Sequence, residues 1–149
     1  MLRKWIILAT VATAVALMAT GATFAQDENS PLHKLMEKVG SKSNAIKKAI
    51  RTPVAYKKDH EAVVKHADEL IELGKQARDM KESVEKQKKT MAEWQKLCDD
   101  FIKKSTEFKD FAEKSGTTKN DQEAAKKAYA SVNPSCTACH NVFRVEDDK

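Results

Sequence analysis

The chain is poor in residues that turn a backbone. Of its 149 residues only 4 are glycine and 3 are proline. A β-sandwich or barrel needs a turn roughly every eight to twelve residues, so that class is excluded. Aromatic residues make up 6%, which excludes a platform for stacking single-stranded nucleic acid. Charge of one sign is not in large excess. Lys and Arg number 27 against 22 acidic residues, a net +5, too mild for a nucleic-acid partner. Cysteine is scarce and odd in number. A simple disulfide scaffold would leave one of Cys98, Cys136 and Cys139 without a partner. What remains is 33% charged and 41% hydrophobic, dominated by Lys, Glu, Ala and Asp. These residues favour an all-α chain.

A single long apolar run stands at the start. Arg3 and Lys4 precede an uncharged stretch from Trp5 to Ala25, with small residues at Thr23 and Ala25. This is the pattern of a secretory signal peptide over residues 1–25. The other reading is an uncleaved anchor, since about 20 apolar residues nearly span a bilayer. The run is rich in Ala and Thr and only mildly hydrophobic, which favours cleavage. Losing Arg3 and Lys4 takes the net charge from +5 to +3. The expected product is a soluble periplasmic domain over residues 26–149, with no membrane partner.

Four helical stretches follow. Ser30-Pro31 is a start signal, Ser as N-cap and Pro at the first helical position. Leu32, Leu35, Met36, Val39, Ile46 and Ile50 then recur at helical spacing. Gly40 interrupts this helix and suggests the close approach of another group. Thr52-Pro53 ends it. A second helix is clearest from Asp59, with an apolar face running from Val63 to Met80. Residues 81–89 read as a loop or a solvated continuation. Thr90 and Glu93 form a capping box that opens a third helix, ended by Gly116. Its stripe includes Trp94, Leu97, Cys98, Phe101 and Phe108. Asn120 with Glu123 reads as the next box. Asn133-Pro134 kinks or restarts the fourth helix. Four amphipathic helices with short connections predict an antiparallel up-down-up-down bundle. Such a bundle sets the start of helix one beside the end of helix four.

The chemistry lies in Cys136-Thr137-Ala138-Cys139-His140. C-x-x-C-H is the attachment signal for a c-type haem. Two thiols three residues apart on a helix can each add to one vinyl group of the same porphyrin. The next residue, His140, then offers its imidazole to the iron. The competing readings are weaker. A thioredoxin-like pair expects a βαβ context. A zinc site needs a second ligand pair, which Cys98, His33, His60 and His66 do not supply. A local disulfide would account for the two cysteines alone and not for the histidine.

The stretch Cys136 to Arg144 resembles the C-x-x-C-H-x-x-aromatic-Arg ending of class II c-type cytochromes, the cytochrome c′ family. Ala92-Glu93-Trp94 through Phe101 resembles that family's third-helix pattern, and Leu35 to Gly40 resembles its first-helix segment. Pro134 and Cys98 depart from it. The resemblance implies a four-helix bundle with one covalent haem c near the C-terminal helix. It implies thioether links at Cys136 and Cys139, His140 as proximal iron ligand, and Arg144 as partner of a haem propionate. It aligns Met36 with the residue that is a distal thioether ligand in low-spin members. In high-spin members that place is apolar and the iron is five-coordinate.

Two functions are then open. With Met36 bound, the protein is a periplasmic electron carrier with redox partner proteins. With Met36 unbound, it binds nitric oxide or another small gas. His33 is a second distal candidate. Dimerisation is frequent in the family. His60 and His66 read as solvated, and Cys98 as a small buried hydrophobe. No catalytic constellation is visible, and an enzyme is not expected.

Overall fold

A computed structural model of the chain describes residues 30–144. The expected signal peptide lies outside the described residues. The described part is helical, without strands, and forms the bundle expected. In order the helices are α1 (Pro31–Ala49), α2 (Pro53–Arg78), α3 (Glu82–Gln87), α4 (Met91–Lys114), α5 (Lys119–Ala130) and α6 (Val132–Phe143).

Local chemistry explains most of the boundaries. Ser30 caps α1, its hydroxyl accepting the His33 N–H at 3.1 Å. Thr90 and Glu93 form the expected capping box on α4. Two boundaries differ from expectation. Thr52-Pro53 opens α2 rather than merely closing α1. Thr52 Oγ1 accepts the Ala55 N–H at 3.2 Å, and the proline stands where a helical N–H has no acceptor. Asp59, from which the second helix is clearest in sequence, stands at a kink within α2, at φ −109° and ψ 16°. The box on α5 is Thr118 with Asp121, not Asn120 with Glu123. Asp121 Oδ2 accepts the Thr118 N–H at 2.8 Å. The charged run after α2 folds as the short α3, which ends on Lys88 in the left-handed region at φ 52°.

The fourth arm of the bundle is α5 followed by α6, broken only at Ser131, which keeps helical angles. Pro134 falls in the first turn of α6, where its missing N–H removes no helical hydrogen bond.

Cross-helix contacts fix the antiparallel directions. Between α2 and α4, Asp68 pairs with Lys109 at 3.1 Å and Arg78 with Asp99 at 2.7 Å, one number rising as the other falls. Between α1 and α5, Tyr129 donates to Ser43 Oγ at 2.8 Å, and Gln122 donates to the Ile50 carbonyl. Two apolar clusters fill the interior. One gathers Ile46, Tyr56, Val63, Leu70, Phe108 and Tyr129. The other gathers Leu32, Leu35, Leu73, Val84, Trp94 and Phe143. Full burial of each large side chain contributes about 1.5–3 kcal/mol. Val39 borders both clusters, and Met36 packs on the second.

Candidate functional site

The α6 helix carries three candidate residues in little more than one turn. Cys136 and Cys139 are half-buried and not joined in a disulfide. The Cys136 thiol lies 3.6 Å from the Val132 carbonyl oxygen one turn back. The i, i+3, i+4 spacing of Cys136, Cys139 and His140 places all three on one side of the helix. Antiparallel packing sets the first turns of α1 beside them and contributes Met36.

Three hollows surround these residues. A small one of about 50 Å³ is lined by Leu73, Gly74, Cys98 and Phe101 together with both α6 cysteines. A second, of about 460 Å³, runs past Gly40, Lys47 and Tyr129. A third, of about 380 Å³, opens past His33, Glu82, Lys86 and Arg144. Met36 and His140 line all three. The hollows therefore adjoin along a thioether and an imidazole, and together they are termed the groove. The two larger ones each fall in the range of about 300–1,000 Å³ usual for small-molecule and cofactor sites.

The electrostatics keep the donors uncharged. Burial, with the Arg144 cation as a smaller cause, lowers the His140 pKa below the usual histidine value. His140 remains exposed along the groove, so its desolvation is partial. A neutral ring keeps a lone pair for a metal. Burial pushes the Cys139 thiol up to about 11 and raises that of Cys136 as well. Cys98 is buried at the groove floor, and its pKa rises to about 12 for the same reason.

The other candidates fall in different places. Arg144 ends α6 at the mouth of the groove, near Lys86. His33 lies at that same mouth, 3.8 Å from Glu37. The expectation of solvated His60 and His66 is corrected. Each is half-buried and bonded. His60 Nε2 is 3.0 Å from the Ala112 carbonyl oxygen, and His66 Nδ1 is 2.8 Å from Glu69. Both stand away from the groove. Gly40 is exposed, and a Cβ added there would meet nothing within 4 Å of the chain. A tight approach within the chain occurs at Gly74. A Cβ there would stand 2.8 Å from Ile102 Cγ1 and 3.0 Å from Phe101 Cδ1. Its signal was present in sequence as a lone glycine inside an apolar helical stretch. Glu82 and Lys86 gave no sequence signal at all.

The family model described as Cytochrome C′ matches residues 32–144. The chain belongs to the cytochrome c′ family. No curated protein and no solved structure matches it. The family assigns haem to this cytochrome. The groove suits that group on its own chemistry. It combines apolar walls, a neutral imidazole, a thioether and two unpaired thiols. A bare metal ion is less well served. Among the described residues no group of three or more His, Cys, Asp or Glu could hold one.

Proposed function

We propose that this cytochrome c′ relative is an exported electron carrier with one covalently bound haem. The observation that carries the proposal is the sharing of the whole groove by Met36 and His140. Haem supplies an iron that alternates between ferric and ferrous states. The chain's residues hold that group and set its preference.

Cys136 and Cys139 would hold the haem covalently, one thioether link from each sulfur. His140 would hold the iron through its neutral nitrogen. Met36 would supply a sulfur, and a thioether ligand favours ferrous iron more than a second nitrogen ligand does. Leu73 and Phe101 keep water from the groove floor. Arg144 answers the charge of a propionate. The apolar leader at 1–25 supports export. No helix among the described residues is long and apolar enough to cross a membrane.

The optical spectrum of matured protein tests the proposal. A sharp reduced α-band and a weak ferric sulfur-to-iron band are expected. A broad high-spin spectrum would instead assign the five-coordinate, gas-binding function. A mass equal to the bare polypeptide would remove the cofactor altogether.

A further inference from the structure

We infer that Glu82 is a positioning residue for the Met36 side of the groove, held there by α3 acting as a strap. The inference rests on the proposed ligation by Met36.

The first N–H groups of a helix have no acceptor within it. In α1 the Ser30 hydroxyl serves the His33 N–H at 3.1 Å. The Leu32 N–H is served from far away in the chain, by Glu82 Oε2 at 3.3 Å. The first turn of α1 contains no acidic residue of its own. Glu82 therefore supplies both an acceptor and the negative charge that a helix start favours. Leu32 stands one turn before Met36, on the same face.

The rest of α3 explains why the carboxylate stays in place. Ser83 and Val84 are buried, and Val84 joins the cluster that contains Leu32, Leu35, Trp94 and Phe143. The helix also packs on α6. Lys86 holds Glu82 from the next turn at 3.6 Å. So α3 touches the helix that carries Met36 and the helix that carries His140. Glu82, Met36 and His140 line the same hollow of about 380 Å³. Cutting the strap at Glu82 loosens the start of α1 and lets Met36 withdraw from the iron.

The test compares Glu82→Ala, Glu82→Gln and Met36→Leu in the haem-loaded protein. Loss of a helix cap predicts about fivefold faster hydrogen exchange at the Leu32 amide in Glu82→Ala. The ferric sulfur-to-iron band weakens in the same variant, and added imidazole binds the ferric protein about fivefold more tightly. Glu82→Gln keeps an acceptor for the same N–H but loses the charge and the Lys86 pair, so it falls between the parent and Glu82→Ala on each readout. Suppose Met36→Leu abolishes the band while Glu82→Ala leaves band and imidazole affinity unchanged. The strap inference then fails and Met36 ligation stands. A parent spectrum unmoved by Met36→Leu overturns both.

Discussion

Trp94 reaches across the bundle to Ala77, its indole N–H donating to that carbonyl oxygen at 2.7 Å in a fully buried bond. The same ring meets Phe143 edge to face, with centroids 5.1 Å apart. One side chain of α4 thus fastens α2 by its indole N–H and the last turn of α6 by a ring contact. The cluster behind the groove depends on both contacts.

Trp94→Phe keeps an aromatic face but loses the donor and part of the volume. It is expected to lower stability by about 1–3 kcal/mol, read by urea titration. An unchanged midpoint would show that the bond contributes nothing net.

Met36→Leu removes the sulfur at nearly constant volume, so packing is little disturbed. The expected result is conversion from low-spin to high-spin iron and a lower reduction potential. A potential and spectrum equal to the parent's would take Met36 out of the site.

Each thiol of α6 is expected to hold the haem by one bond. Cys136→Ala and Cys139→Ala should each keep their colour through acid–acetone extraction, and the double variant should lose it. Extraction of all colour from the parent would end the covalent assignment.

Two glycines should respond in opposite directions. Gly74→Ala forces Ile102 and Phe101 aside and is expected to cost about 1–3 kcal/mol. Gly40→Ala meets open space in the chain and replaces a poor helix former. In haem-free protein it should stabilise by about 1 kcal/mol. Thermal midpoints of the two variants provide the comparison.

Cys98 should be inert in the folded protein. Burial raises its pKa to about 12, so the reactive thiolate is suppressed at pH 8 and grows only as the pH climbs towards that value. Iodoacetamide should label it after denaturation and not before. Rapid labelling at pH 8 in native protein would contradict the buried placement.

What could be read in sequence was local. The Ser30 cap and the Thr90–Glu93 box each lie within a few residues, and their chemistry is complete in that span. Two boundaries were misread because adjacent signals compete. Thr52-Pro53 both stops one helix and starts the next, and Thr118-x-x-Asp121 overlaps Asn120-x-x-Glu123. Thr118 prevails with reciprocal bonds to Asp121. Residues whose roles depend on distant partners could not be given those roles from sequence. Glu82 meets Leu32 across 50 positions, and Gly74 matters only because Phe101 and Ile102 lie against it. The histidines show the same limit, since His60 finds its acceptor on another helix at Ala112.

The groove joins α1, which leaves the ribosome early, to α6, which leaves last. Until that helix is synthesised, the hollows that Met36 lines lack His140 and the wall that α6 supplies. Every intermediate length of nascent chain is consequently unable to house the pigment. A truncation that stops before residue 132 should give colourless protein however well its earlier helices form.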